Sequence, residues 1–192
     1  MNKTLVLDAG GVLATNLSPG LWQQLSDIGQ CEQQALYAAY KQEISDDLWR
    51  GACTEQQWWE WLSARGIRLS DEQRATLIAG QLRPLPALNK LKAWSAGCKL
   101  VIMSNHRSEW LLPLLEPLLS SLHAVHISDQ AGLRKPDPLW FEQIDNTLER
   151  PADIVFVDDS RKNLQAAERY GWRTLLADEQ GLWIKMIDEW LN

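Results

Sequence analysis

The 192-residue chain predicts an α/β fold: a three-layer core around a parallel sheet, with a helical cap inserted after the first strand. Three observations carry that prediction. Short apolar strand-like runs alternate with helical patterns over residues 82–192, an apolar run near the N-terminus ends on an aspartate and two glycines, and residues 15–81 hold closely spaced helix signals with no β-branched apolar run. The core therefore reads as residues 1–14 and 82–192, and the cap as 15–81.

The first element is the run Leu5-Val6-Leu7-Asp8-Ala9-Gly10-Gly11-Val12-Leu13, in which a buried strand delivers one carboxylate to a glycine-rich turn. In the cap, helices are expected at Leu21–Ile28 and Glu32–Gln42, then at Glu55–Arg65 and Asp71–Gly80. The last two are introduced by Thr54 with Gln57 and by Ser70 with Gln73. That is the spacing of a capping box, in which hydroxyl and glutamine satisfy free amides reciprocally. Beyond the cap, strands are expected at Lys99–Met103, Ala124–Ile127, Ile154–Val157 and Arg173–Leu176. They alternate with helices at Pro86–Ser95 ending at Gly97, at Glu109–Leu119, at Pro138–Leu148, and at Arg161–Tyr170 ending at Gly171. Inserted directly after the first glycine turn, the helical segment is expected to lie over the sheet edge as a lid.

Composition excludes several classes. A net charge of −6 with no run of Lys or Arg leaves no electrostatic footprint for nucleic acid or for an anionic membrane. The N-terminal apolar run is broken by Asp8, too early for a signal-peptide core, and no uninterrupted segment reaches membrane-spanning length. Cys31, Cys53 and Cys98 are odd in number, widely spaced and without a CxxC pair, so reduced thiols and a cytoplasmic location are expected.

Four groups of polar residues stand at strand ends or just beyond: Asp8, then Ser104-Asn105, then Lys135 within Arg134-Lys135-Pro136-Asp137-Pro138, then Asp158-Asp159. In a parallel sheet such positions converge on one crevice. Asp8 and the aspartate pair can hold Mg²⁺, a hard ion that prefers oxygen ligands; Lys135 can neutralise the remaining charge, and Ser104 and nearby amides can donate to phosphoryl oxygens. Together they read as a phosphate site.

In these residues, their order and their spacing, the chain resembles the haloacid dehalogenase-like hydrolase superfamily, most of whose members are Mg²⁺-dependent phosphatases; the resemblance spans essentially the whole chain. It implies a Rossmann-like core, and it implies that Asp8 is the nucleophile, forming an aspartyl-phosphate that water then hydrolyses. It further implies that Ser104 is the second-motif hydroxyl, Lys135 the third-motif lysine, and that the metal is held by Asp8, the backbone carbonyl of Gly10 and Asp159, with Asp158 close by. The expected partner is a small phosphorylated metabolite, a sugar phosphate being one candidate, selected by the helical cap.

Gly10 departs from the pattern. Most phosphatases of that superfamily carry a second aspartate two places after the nucleophile, which protonates the leaving oxygen and later activates water. Such assistance is worth about 10² to 10⁴ in rate. One explanation is a substrate whose leaving group needs little protonation, such as an anomeric sugar phosphate or an acyl phosphate. The chain resembles in this respect an α-glucose-1-phosphatase-like branch that also carries glycine there. A second is another proton donor, His106 being the nearest titratable candidate, against the plainer reading of His106 as a surface-loop histidine. A third is a metal-independent haloacid dehalogenase, against which Asp158-Asp159 argues because dehalogenation does not require a metal-binding carboxylate pair. A fourth is a catalytically silent phospho-ligand binder.

Other residues read more plainly. Asn163 either orients the metal region or simply sits in the next helix; His123 and His126 are structural; Arg107 and Arg161 lie near motifs and earn no assignment. Eleven tryptophans stand against two phenylalanines. Trp58, Trp61 and Leu62 share one helical face, which reads either as a stacking surface for a sugar or aromatic substrate or, more plainly, as core packing or a homodimer surface, while Trp59, off that face, is the candidate for exposure.

Overall fold

The computed structural model describes residues 3–148 and 153–192. Five strands, β1 (Lys3–Leu7), β2 (Lys99–Ser104), β3 (Ala124–Ile127), β4 (Asp153–Asp158) and β5 (Arg173–Leu176), form one parallel sheet in the order β3-β2-β1-β4-β5. The chain thus starts in the middle of the sheet, and its first strand is flanked by β2 and β4. This is an α/β, Rossmann-like architecture.

Strand periodicity explains why β1 is apolar at every position but its first two. Leu5 and Leu7 face one side with Leu100, Ile102, Val155 and Val157, whereas Val6 faces the other with Val101, Met103, Ile154 and Phe156. Each face needs a cover. The first five helices after β1 are α1 (Gly20–Gly29), α2 (Gln33–Glu43), α3 (Ser45–Trp49), α4 (Glu55–Ser63) and α5 (Asp71–Gln81). The sheet is instead covered by the helices that follow, α6 (Leu91–Trp94), α7 (Ser108–Leu115), the short α8 (Ser128–Ala131), α9 (Pro138–Asp145), α10 (Arg161–Glu168) and α11 (Leu182–Leu191). Trp94, Leu111, Leu115, Trp183 and Ile187 from α6, α7 and α11 pack the Leu5–Leu7 face. Trp140, Phe141 and Ile144 of α9, with Leu164 and Ala167 of α10, pack the Val6 face.

The helices α1–α5 enclose a separate apolar cluster around Leu25, Leu48, Trp58, Leu62 and Ile67, joined by Trp110 of α7. Both expected capping boxes are present, Thr54 with Gln57 and Ser70 with Gln73. Where the chain leaves and re-enters the sheet layer its two passes are tied together: Leu85 N–H donates to Leu13 O at 2.8 Å, Thr15 N–H to Arg83 O at 2.9 Å, and the Thr15 hydroxyl to Gln81 O. Among the described residues no helix is long and apolar enough to cross a membrane, and all three cysteines are free.

Several elements differ from expectation. The stretch Glu109–Leu119 is not one helix: α7 gives way to a 3₁₀ segment at Glu116–Ser121, where Pro117 supplies no N–H to an α-helical ladder. The stretch Pro86–Ser95 likewise opens as a 3₁₀ segment over Pro86–Lys90 before α6. Trp59 is not exposed. It is 3% accessible, its ring 4.4 Å from that of Trp58 and its indole N–H bonded to Glu55 at 3.0 Å. The half-buried ring on α4 is Trp61, with the Arg65 guanidinium 3.9 Å above it.

Candidate active site at the carboxyl edge of the sheet

Register alone brings the first groups together. Leu7 pairs with Ile102 on one side and Val157 on the other, so the next residue, Asp8, stands level with Asp158 and one residue short of Ser104. Asp8 N–H still donates to Val157 O at 3.0 Å, which carries the sheet pairing to the edge of the crevice. The Asp8 carboxylate is then fixed from both sides. Its Oδ1 accepts the Ser104 hydroxyl at 2.8 Å and the Ala9 amide at 2.7 Å, and its Oδ2 lies 3.0 Å from Lys135 Nζ.

Lys135 is fully buried, and its ammonium bridges two acids, with Asp158 Oδ2 at 2.6 Å beyond Asp8. The loop that bears it is held by a reciprocal pair: Asn105 donates to Lys135 O at 2.8 Å and accepts Lys135 N–H at 2.7 Å. Asp158 is saturated, accepting from Lys135, from Ser160 N–H at 2.8 Å, and from Asn163 Nδ2 at 2.9 and 3.0 Å. Asn163 therefore holds Asp158, and it does so from within α10, so both of its readings describe it. Asp159 points outward and is exposed.

Burial dominates the electrostatics. It pushes Asp8 up to about 7, against Lys135, which pulls it down, and with the neighbouring charge of Asp158, which adds to the rise. Burial also disfavours the ammonium of Lys135, yet Asp158 and Asp8 together outweigh it and hold Lys135 above the ordinary lysine value. Carboxylate oxygens of Asp8, Asp158 and Asp159 all lie within 4.8 Å of one another. This donor set is all oxygen, without His or Cys, and so fits a hard cation such as Mg²⁺ and not zinc.

Asp8, Lys135 and Asp159, though not the fully buried Asp158, border a cleft of about 570 Å³ that also takes in Gly10, Asn16 and Asn105. A larger cavity of about 740 Å³ lies between α4, α5 and α7, but it contains none of these groups, so chemistry and not size marks the site. Gly11 is required by the close approach of Asp159. Its φ is +69°, and a Cβ there would stand 2.3 Å from Asp159 Oδ2.

Neither expectation for His106 survives. It is 4% exposed, its ring 5.9 Å from that of Trp49 and 6.1 Å from that of Trp110, so it is not a surface-loop residue. Burial pushes it down to about 4, and its Nδ1 lies 3.0 Å from the Arg107 amide, whose N–H it accepts. A neutral ring so held is a poor proton donor at neutral pH. His123 and His126 belong to the outer strand β3 and its approach, away from the carboxylates.

Two residues matter more than their sequence context suggested. Arg107 is an anchor: its guanidinium donates to Leu48 O at 3.1 Å and Cys53 O at 2.7 Å, both in the helical segment, while pairing with Glu109 at 2.8 Å. Asn16 donates from Nδ2 to Asp159 Oδ2 at 2.9 Å. Arg161, in contrast, is exposed at the start of α10.

Residues 2–171 match the haloacid dehalogenase-like hydrolase family. Among solved structures, the chain is similar to a predicted HAD-like family hydrolase from Porphyromonas gingivalis, with 25% identity, a TM-score of 0.82, and coverage of 100% of this chain and 98% of that one. A HAD family enzyme from Bacteroides thetaiotaomicron, in complex with magnesium and inorganic phosphate, is 19% identical with a TM-score of 0.76, covering 92% and 94%. The L-2-haloacid dehalogenase from Xanthobacter autotrophicus, with chloropropionic acid covalently bound, is 20% identical with a TM-score of 0.61, covering 100% and 85%. These two likenesses establish the shared fold. No curated protein matches the chain. With the family match spanning most of its length, and with this sheet and strand-edge crevice, the chain belongs to the haloacid dehalogenase-like hydrolases.

Proposed function

We propose that this hydrolase is a Mg²⁺-dependent phosphatase acting on a small phosphorylated metabolite. The observation that carries the reading is the convergence of Asp8, Asp158 and Asp159 within 4.8 Å, the first two bridged by one buried ammonium. Displacing a halide from a carbon atom gives no use for three converging carboxylates, whereas a phosphate dianion approaching a carboxylate nucleophile needs concentrated positive charge. Asp8, Asp159 and the Gly10 carbonyl would hold Mg²⁺, with Asp158 behind them; when bound, the ion offsets repulsion between nucleophile and substrate and polarises the phosphoryl group.

The protein's own groups do the rest. Ser104 and the Ala9 amide hold Asp8 Oδ1, which fixes the direction in which the carboxylate presents itself. An Asp8 oxygen forms a bond to phosphorus as the bond from phosphorus to the leaving oxygen breaks, giving an aspartyl-phosphate; water then attacks that phosphorus, releases inorganic phosphate and restores the carboxylate. Lys135 balances charge throughout. Gly10 carries no acid and His106 is neutral, so the departing oxygen takes its proton from water. That favours substrates with good leaving groups, anomeric sugar phosphates and acyl phosphates. The free thiols fit a cytoplasmic enzyme.

The test is phosphate release from a panel that includes acyl and anomeric phosphates, with Mg²⁺ and with a chelator. Turnover that requires Mg²⁺ and vanishes in Asp8→Asn supports the proposal. Metal-independent halide release from a 2-haloacid would make the protein a dehalogenase instead, and phosphate binding without turnover on any substrate would make it a silent binder.

A further inference from the structure

Of the polar side chains in the cleft that the proposed chemistry leaves without a task, Asn16 is the one bonded to a residue proposed to hold the metal. It follows directly on the tie between the outgoing and returning chain, where Thr15 is bonded to Gln81 and Arg83. Its backbone is therefore placed by the fold and not by the cleft. From there Nδ2 donates to Asp159 Oδ2 at 2.9 Å. An ionised carboxylate only accepts, so the nitrogen of the amide must face Asp159 and the oxygen must face away. Among the described residues Asn16 is the one side-chain donor to Asp159, in contrast with Asp158, which Lys135 and Asn163 hold.

The oxygen that faces away meets Gly10. A Cβ built on Gly10 would stand 2.6 Å from Asn16 Oδ1 and meets nothing else so close. The backbone at Gly10 is not in the left-handed region, so its conformation suits any residue. What a Cβ at position 10 meets is the Asn16 amide and, within 4 Å, no other group.

Building on the Mg²⁺-dependent reading above, we propose that Asn16 is a positioning residue that aims the Asp159 carboxylate at the cation, and that position 10 is glycine because the Asn16 amide occupies the space a side chain would need. The two residues form one unit: a side chain at 10 displaces the amide, and a displaced amide releases Asp159. Outer residues that orient a metal ligand are commonly worth 10- to 100-fold in affinity.

The experiment is calorimetric Mg²⁺ binding to the full chain, with no substrate, for the wild type, Asn16→Ala, Gly10→Ala and the double variant; thermal melting shows that each is folded. Each single variant should bind Mg²⁺ about 10-fold more weakly. The double variant should be no weaker than Asn16→Ala, because a methyl group at position 10 has nothing left to displace. Wild-type binding with unchanged affinity in Asn16→Ala overturns the positioning role. Losses that add in the double variant overturn the link to Gly10. A wild type that binds no Mg²⁺ overturns this inference together with the metal part of the proposed function, an outcome distinct from the other two.

Discussion

Lys135 and Asp158 form a salt bridge of 2.6 Å in which both side chains are completely buried. Such a pair is weak evidence for stability as a whole, but removing one partner strands the other charge in the interior. Here Lys135 also faces Asp8, so Lys135→Met leaves two carboxylates without their cation. We expect a loss of roughly 3–5 kcal/mol in urea denaturation. Lys135→Met combined with Asp158→Asn should lose less than the sum of the single variants, since one stranded charge is gone. A single-variant loss below about 1 kcal/mol would show that the interior is wetter than this geometry requires.

Arg107 extends from the loop after β2 to the carbonyl oxygens of Leu48 and Cys53 and is 5% exposed at its side chain. Arg107→Met leaves those carbonyls unsatisfied and should cost roughly 3 kcal/mol. Arg107→Lys should recover part of it, because one ammonium cannot reproduce the guanidinium fork. Limited proteolysis should reveal faster cleavage near residues 50–54 in both variants. An unchanged digestion pattern would mean that this segment is held elsewhere.

Much of this architecture was legible in the sequence. The strands were, because parallel strands buried on both faces read as continuous apolar runs, and so were the strand-end polar groups, because register does the rest: Asp8 meets Asp158 with no help from side-chain packing. The two capping boxes were legible because they are purely local. What escaped was decided by distant partners. Trp59 lies off the stripe shared by Trp58 and Trp61, yet it is buried because Trp110 of α7 arrives beside it and both indoles donate to Glu55 Oε1, at 3.0 and 2.8 Å. Helix α11 is absent from the sequence reading although Trp183 and Ile187 repeat at helical spacing: Leu182 and Met186 directly beside them are equally apolar yet exposed, so the sequence does not separate the buried face from its flank. Asn16 finds Asp159 across 143 residues, and nothing near it in the chain announces that.

The buried His106 makes stability depend on pH in a calculable direction. The unfolded ring takes up a proton near 6.5, whereas the folded ring, pushed down to about 4 by burial, refuses it, so His106 favours the native state less as pH falls from 6.5 to 4. The full effect is about 3 kcal/mol. Asp8 acts oppositely over nearly the same window, because its folded value near 7 lies above the ordinary 3.8 and its folded form keeps a proton that the unfolded chain releases. The wild-type profile alone therefore conceals both. The difference in unfolding free energy between wild type and His106→Gln isolates the histidine, and it should shift by up to about 3 kcal/mol against the wild type between pH 7 and pH 4. A flat difference would place the ring in water.

Gly11 and Gly171 together separate backbone strain from metal binding. Both have positive φ, +69° and +75°, so alanine at either should cost about 1 kcal/mol in stability. At Gly171 the added Cβ enters open space, whereas at Gly11 it would lie 2.3 Å from Asp159 Oδ2 and 2.7 Å from its Cγ, and the carboxylate must swing aside. Gly171→Ala should thus leave calorimetric Mg²⁺ affinity unchanged, and Gly11→Ala should lower it at least 10-fold at similar thermal stability. If the two variants bind Mg²⁺ equally well, Asp159 is not among the ligands, and the cation, if bound, rests on Asp8 and Asp158.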